Sequence, residues 1–203
     1  MDPYNWRADY GNSNWDLRHR FVAGVVYDLP FWKSSPNLAV KQTLANWQVN
    51  LLTTIQSGFP FNITIAPDQA NTGASNQRPN VAGVPHADCG SGRLANCIST
   101  AEFLLPVQYT YGNFGRNVLR GAGLVNWDFS LFKNIPIHEK AKFQIRAEVF
   151  NLLNTPGFAN PNAAIGTPPS VVGGTGAIPG NFGTVTTTVN NNRQIQLAAR
   201  FTF

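Results

Sequence analysis

Several stretches of the chain alternate apolar and polar residues with a period of two. The last of them, "RQIQLAARFTF", has Ile195, Leu197, Phe201 and Phe203 on its apolar side. Successive side chains of a strand point to opposite faces, so this alternation predicts strands rather than helices. The predicted strands are Arg20–Phe31, Leu44–Ile55, Val125–Ile135, Lys142–Asn151 and Arg193–Phe203.

The length and the charge pattern of these strands indicate a membrane barrel wall. Each run lasts about ten residues or more, close to the roughly 9–11 residues that a tilted strand needs to cross a bilayer. A lipid-facing Arg or Lys at mid-bilayer costs about 2–4 kcal/mol, so one face of such a strand should exclude charge. The charged residues on the polar side are Arg20, Asp28, Asp128, Lys142, Arg146, Glu148 and Arg200, and Lys133 is the exception on the apolar side.

The predicted fold class is therefore all-β: an antiparallel, up-and-down transmembrane β-barrel portion of about five long strands. A short turn lies between Ile135 and Lys140, whereas long Gly-, Pro- and Asn-rich connections run from Ala66 to Gly123 and from Thr155 to Phe182. Outer-membrane barrels have short turns on the periplasmic side and long loops outside. The segment from Phe31 to Thr43 is long for an inner turn. Because the smallest barrels have about eight strands, the isolated portion should be open.

The amino-acid composition reduces the number of protein classes to which the chain could belong. Charged residues make up 12% of the chain, about half of the usual share of roughly 25%. The sequence has no apolar run near the roughly 20 residues of a membrane helix, and its start lacks the apolar region of a signal peptide. The net charge is +5, but the basic residues are scattered, so we expect no nucleic-acid partner. A soluble β-sandwich binding module remains the alternative, although its polar face is usually richer in Lys and Glu.

The two cysteines, Cys89 and Cys97, lie in the loop sequence "CGSGRLANC". They form either a small disulfide loop, as in an oxidising compartment, or two free thiols. With His86 as the one such residue close in sequence, they lack the four ligands of a structural zinc site.

No enzyme or cofactor motif is present. His19, His86 and His138 are far apart and have no metal-ligand spacing. The segment "GGTGAIPG" lacks both the third Gly of a dinucleotide-binding motif and the Gly-Lys-Ser/Thr of a P-loop, and no Ser lies in a G-x-S-x-G motif. We therefore expect no catalytic residue, no bound metal and no cofactor.

Five segments in chain order resemble the C-terminal barrel strands of TonB-dependent outer-membrane receptors of the Oar-like, carboxypeptidase-regulatory-like type. They are "HRFVAGVVYDLPF", "ANWQVNLLTTIQSGFPFNI", "NVLRGAGLVNWDFSLFKNIPI", "KFQIRAEVFNLLNTPGF" and "RQIQLAARFTF". The resemblance runs from about Leu17 to Phe203. It implies that residues 1–203 are the C-terminal part of such a barrel, without a plug domain, in the outer membrane of a Gram-negative cell. Complete members of this family have about 22 strands.

The resemblance also implies a function and a set of partners. The complete protein would take up a scarce ligand actively, and this part would not transport anything alone; a passive porin-like or structural barrel segment is the alternative. The implied partners are outer-membrane lipid and lipopolysaccharide, the barrel-assembly machinery, the remaining barrel strands, and the TonB complex through the missing plug. The terminal strand would be the assembly signal, with Phe203, Phe201, Leu197 and Ile195 on one face.

The charged residues of the predicted polar face are candidate functional residues. Asp128, Arg146, Glu148 and Arg200 would form an ion-pair and hydrogen-bond network along the lumen wall, or would contact the substrate or the plug. A three-residue turn at Pro136–His138 would place Asp128 opposite Arg146.

Aromatic and arginine residues of the external loops form a second candidate set: Tyr109, Tyr111, Phe114 and Arg116. Such side chains anchor many recognition surfaces, but rings of this kind also occupy the membrane interface. Trp47 and Phe31, at the opposite strand ends, are candidates for the interfacial belt.

Overall fold

The computed structural model describes residue 2 and residues 4–74, 76–137 and 141–203. Within them, a 3-10 helix spans Trp6–Asp9 and the α-helix α1 spans Leu38–Leu44. The strands are β1 (Arg20–Asp28), β2 (Trp47–Gln56), β3 (Pro60–Phe61), β4 (Thr64–Ile65), β5 (Asn80–Val81), β6 (Phe103–Leu104), β7 (Leu119–Arg120), β8 (Leu124–Pro136), β9 (Lys142–Phe150), β10 (Ala164–Gly166) and β11 (Gln194–Thr202). Among the described residues, no helix is long and apolar enough to cross a membrane.

The five long strands form one antiparallel sheet in the order β1-β2-β8-β9-β11, which is also their order along the chain. This arrangement confirms the predicted all-β, up-and-down barrel portion. The sheet is open, because its first and last strands are not paired with each other.

The strand ends differ from the prediction where the backbone changes direction. β1 ends at Asp28 rather than Phe31, since Pro30 has no N–H to donate to a ladder. β2 begins at Trp47 rather than Leu44, because Asn46 adopts a positive φ of 61° that breaks the extended backbone. The long inner connection is explained by α1, whose first N–H groups are capped by the Asn37 side chain.

The strand register aligns the two kinds of side chain into continuous rows. One row across the sheet reads Val25, Leu51, Phe129, Val149 and Ile195. The next row on the same side reads Tyr27, Val49, Leu131, Ala147 and Leu197. We call this side the apolar face, and the opposite side, with the intervening residues, the polar face.

In the described part of the chain, many large apolar side chains of the apolar face are exposed. Leu197 is 77% exposed and Ile195 is 70% exposed, and large apolar side chains of the other strands, such as Val25 and Ile145, are also exposed. A soluble β-sandwich would bury these residues against a second sheet. An uncovered apolar face is instead what hydrocarbon contact requires.

The chain divides into two compact units. The sheet unit contains residues 20–56, 124–156 and 190–203, and the loop unit contains residues 1–19, 57–123 and 157–189. The segments of the loop unit leave the sheet at one end, where Gln56 pairs with both Arg20 and Leu124, and where Gln194 pairs with Phe150.

The loop unit has its own hydrophobic core, which the sequence analysis did not anticipate. Its buried members are Phe61, Ile63, Ile65, Cys97, Ile98, Phe103, Phe114, Leu119, Ile165, Phe182 and Val185. Phe103 lies at the centre, edge-to-face with Phe114 and Phe182 at ring-centroid distances of 5.4 and 6.4 Å. A disulfide joins Cys89 to Cys97 within this unit. The loops are therefore a packed body rather than separate flexible connections.

Polar contacts hold the first residues of the chain to this core. The Arg78 guanidinium forms an ion pair with Asp9 at 2.8 Å and donates to the Ala8 carbonyl at 2.7 Å. Arg120 pairs with the Asp16 carboxylate. Asn117 donates from its side-chain amide to the carbonyl of Asn12 at 2.7 Å. The groups in these hydrogen bonds are partly buried. Each bond therefore replaces a hydrogen bond to water that the same group would make in the unfolded chain.

Candidate functional site

The polar face of the sheet presents amides and a small number of charges. One row across it reads Val26, Asn50, Ser130, Glu148 and Gln196, and the next reads Asp28, Gln48, Phe132, Arg146 and Ala198. Asp128 and Arg200 lie on the same face, so the four charged residues predicted for a wall network share one side of the sheet.

The predicted register between the third and fourth long strands is wrong. Phe132, not Asp128, lies opposite Arg146, and the ladder closes with Pro136 opposite Lys142. The Ile137 N–H donates to the Ala141 carbonyl at 3.0 Å, so the connection is longer than the assumed three-residue turn. His138, the last residue of that predicted turn, lies outside the described residues.

Arg146 takes part in an amide relay instead of an ion pair. Its Nε donates to Gln144 Oε1 at 2.5 Å, and Gln144 Nε2 donates to Asn134 Oδ1 at 2.7 Å. The guanidinium also lies 4.9 Å from the Phe132 ring centroid. In the part of the chain that the structure describes, no ion pair joins Arg146 to Asp128 or Glu148. Of the expected ion-pair and hydrogen-bond network, the described residues therefore show hydrogen bonds at Asp128 and Arg146, and Arg146 adds a cation–π contact in place of an ion pair.

Asp128 helps to build a corner where β9 ends. Its Oδ1 accepts hydrogen bonds from Asn126 Nδ2 and from the Asn151 N–H, both at 2.9 Å. The Asn151 side chain donates to the carbonyls of Thr155 and Asn191 at 3.1 and 3.0 Å. This corner fixes the start of the connection after β9 to the segment that precedes β11.

A cavity of about 380 Å³ opens beside this corner on the polar face. We call it the amide pocket; its lining residues are Arg20, Thr54, Gln56, Leu124, Asn126, Asp128, Phe150, Asn151, Asn190, Asn191, Asn192 and Gln194. It lies at the end of the sheet from which the long connections leave. Its volume falls within the roughly 300–1,000 Å³ typical of small-molecule sites.

A second cavity, of about 480 Å³, lies at the opposite end of the sheet unit. Asp28, Lys33 and Lys142 bring charge to its lining, next to Trp47. This end of the sheet is also rich in aromatic rings, since Phe31 and Trp32 contact each other at 5.5 Å and are half exposed. Rings at a strand end match the aromatic girdle of outer-membrane barrels.

Lys133, the exceptional charge on the apolar face, is accommodated near that same end. Its side chain is buried, its Nζ donates to the Ala45 carbonyl, and it lies 5.3 Å from the Trp47 ring centroid. The amine therefore has both a carbonyl and an aromatic face as partners, which limits the cost of a charge on this side of the sheet.

The predicted external contact residues are placed differently from one another. Phe114 is 2% exposed and packs on Phe103, so its assignment as a ligand contact is corrected: it is a core residue of the loop unit. Tyr109 is 69% exposed and has a positive φ of 66°. Arg116 is exposed and Tyr111 is partly buried, so contact roles for these residues and Tyr109 stay predictions.

The residues of the predicted assembly signal lie on one face of the last strand. Ile195, Leu197 and Phe201 are exposed on the apolar face of β11, and Phe203 follows the strand with 94% of its surface exposed. The Phe201 and Phe203 rings are 5.9 Å apart.

Among the described residues, no group of three or more His, Cys, Asp or Glu side chains could hold a metal ion.

Comparison with known protein families places the chain. A family described as an outer membrane beta barrel domain matches residues 1–196. The chain belongs to this family, and it is an outer-membrane β-barrel protein. No curated protein and no solved structure matches the chain.

Proposed function

We propose that the chain is the C-terminal part of the barrel of an Oar-like, TonB-dependent outer-membrane transporter. Such a transporter takes up a scarce ligand actively, and this part does not function alone. The main support for this proposal is that the five receptor-like segments of the sequence coincide with the five neighbouring strands of one antiparallel sheet. The long connections at one end, packed around their own core, support an external ligand-gathering surface.

The proposal assigns a partner to each exposed part of the sheet unit. Outer-membrane lipid and lipopolysaccharide contact the apolar face, and the remaining barrel strands pair with the free edges of β1 and β11. The barrel-assembly machinery recognises the terminal strand through Phe203 and its apolar neighbours. The TonB complex acts through a plug domain that residues 1–203 do not include. No nucleic-acid, enzymatic or cofactor-dependent role is part of the proposal.

Cross-linking in native membranes tests the proposal. Cells that produce the protein from its native gene are treated with formaldehyde, and adducts are identified by peptides from residues 1–203. We expect an adduct that also contains TonB and that is missing from an isogenic strain without TonB. The purified protein in liposomes should not let small solutes leak.

The opposite pair of results identifies the alternative function. If no TonB adduct forms and the liposomes leak small solutes in proportion to their size, the protein is a passive porin-like barrel. Closed liposomes without a TonB adduct would indicate a structural barrel segment, and they would equally contradict the transporter.

A further inference from the structure

We propose that the amide pocket binds a neutral, polyhydroxylated ligand, that is, an oligosaccharide. This inference rests on the proposed function, since it names the chemical class that the transporter takes from outside. It depends on the charge balance of the pocket, on the amides that no protein group occupies, and on one aromatic ring that the sheet pattern does not explain.

The charge of the pocket is balanced. Its charged lining residues are Arg20 and Asp128, which are of opposite sign. Asp128 already accepts two hydrogen bonds from protein groups, one of them from the Asn151 backbone. An anionic ligand needs a surplus of cationic donors, and a cationic ligand needs a surplus of carboxylates. The pocket offers neither, so its ligand is neutral.

The amides of the pocket suit hydroxyl groups. Within the described residues, the side chains of Gln56, Gln194 and Asn192 make no hydrogen bond, although all three line the cavity. Each side-chain amide offers both donors and an acceptor, and a hydroxyl group also donates and accepts. A ligand with many hydroxyls can therefore pair with all three side chains, whereas a ligand with acceptors alone leaves the amide oxygens unpaired.

Phe150 supplies an apolar platform in this otherwise polar site. It lies on the polar face, where the pattern favours a hydrophilic residue, and it is 41% exposed at the cavity wall. The other aromatic ring on this face, Phe132, is covered by the Arg146 guanidinium. A sugar ring has apolar C–H faces and hydroxyl edges, so one flat ring beside several amides matches both of its surfaces.

Equilibrium binding to native membranes tests the inference. Outer membranes from cells that produce the protein from its native gene are titrated with labelled maltohexaose, xylohexaose and, as a charged comparator, hexagalacturonate. We expect saturable binding of at least one neutral hexasaccharide. Binding should weaken about tenfold in Phe150→Ala and in Gln56→Ala/Gln194→Ala. The matched controls Phe132→Ala and Gln144→Ala, on the same face but outside the pocket, should bind within about twofold of the natural protein.

Three results would overturn the inference: no saturable binding of either neutral sugar, preference for hexagalacturonate, or equal weakening by the pocket and control variants. The double Gln variant keeps the test decisive if Phe150→Ala fails to assemble. The outcome is separable from the transporter proposal. A TonB adduct without neutral-sugar binding refutes only the ligand class, and pocket-dependent sugar binding by a passive barrel refutes only active transport.

Discussion

Asparagine has a backbone role in this protein as well as a polar one. Most of the non-glycine residues with positive φ in the described chain are Asn: Asn46, Asn71, Asn76, Asn96, Asn117, Asn151 and Asn154. Asn tolerates the left-handed region because its short polar side chain can hydrogen-bond locally. Asn151 shows the combination, with a φ of 51° and hydrogen bonds from both ends of its amide.

The Asn151 corner should be among the costliest polar positions of the sheet unit to change. Replacing Asn151, which is 5% exposed, by Ala removes the bonds to Thr155 and Asn191 and adds backbone strain. We expect Asn151→Ala to lower the free energy of unfolding by about 2–4 kcal/mol. Urea titration of the membrane-inserted protein measures this change.

Two further variants separate the causes. Glycine tolerates the positive φ at this position. The decrease in the free energy of unfolding in Asn151→Gly therefore reports the loss of the side-chain hydrogen bonds. Asn154 is exposed, has a similar φ of 52°, and makes one side-chain bond, to the Arg193 N–H. Asn154→Ala should therefore cost less, about 1 kcal/mol. Equal losses at Asn151 and Asn154 would contradict the importance assigned to the corner.

Asp68 makes one loop of the loop unit sensitive to acid. Desolvation alone raises the pKa of this carboxyl, but hydrogen bonds from the Thr72 and Gly73 N–H groups and from Gln77 outweigh it and lower the pKa. A depressed pKa stabilises the loop at pH values above the unfolded pKa of about 3.9, and this stabilisation is lost as the pH falls through the lower, folded pKa.

We therefore expect the Gly73 amide to lose hydrogen-exchange protection as the pH is lowered below about 4. Exchange at each pH is compared with the intrinsic rate, so that only the change in protection is counted. In Asp68→Asn this pH dependence should disappear. If protection at Gly73 falls equally in the variant, another group controls the loop.

Sequence reasoning found aromatic residues in the loops but could not tell which were buried. Phe114 and Tyr109 belong to the same short motif, "YTYGNFGRN", yet Phe114 packs in the core and Tyr109 is exposed. The difference is made by Phe103, which packs edge-to-face on Phe114, and by Phe182, which joins the same core from a distant part of the chain. Only the tertiary contacts carry that information.

At the level of elements, the long strands were predictable and the short ones were not. β1, β2, β8, β9 and β11 alternate over enough residues for the period to be read. β3 and β7 have two residues each, and their pairing depends on the fold of the loop unit. The register of β8 and β9 was mispredicted because the length of their connection, unlike the strand period, leaves no pattern in the sequence.

Introducing an arginine at two adjacent positions of β11 should change the stability of the folded protein by very different amounts. Leu197 lies on the apolar face and Gln196 on the polar face, opposite Ala147 and Glu148 respectively. We expect Leu197→Arg to lower the free energy of unfolding by about 2–4 kcal/mol, because the guanidinium would face hydrocarbon near mid-bilayer. Gln196→Arg, the matched control, should cost little. Heat-modifiable migration of the membrane fraction reports the folded share, and similar losses for the two variants would contradict the assigned faces.

At the scale of the whole molecule, the sheet unit has two free edges. Five strands in simple antiparallel order make β1 and β11 run in the same direction. A closed, fully antiparallel barrel has an even number of strands, so an odd number must be added between these edges. Since the smallest barrels have about eight strands, at least about three are needed. Each free edge left in lipid would expose unpaired backbone groups, at several kcal/mol per group.

Paired cysteines can test this closure in the assembled outer-membrane protein. Val149 and Ile195 are cross-strand neighbours in β9 and β11, whereas Val25 lies in the same row on β1. The native cysteines are bonded to each other, so they do not compete. We expect Val149→Cys/Ile195→Cys to form a disulfide, and Val25→Cys/Ile195→Cys to form none, because disulfides require Cα atoms within about 7 Å.

The two ways in which the second pair could react have different meanings. An intramolecular disulfide in Val25→Cys/Ile195→Cys would place the edges of β1 and β11 side by side and would contradict a larger barrel. A disulfide between two copies would mean that the edges pair across subunits, in which case the strands flanking the sheet come from another copy of this chain. If Val25→Cys/Ile195→Cys forms neither disulfide while the control Val149→Cys/Ile195→Cys is fully bonded, the partners of both edges are strands outside residues 1–203. The transporter proposal requires this result.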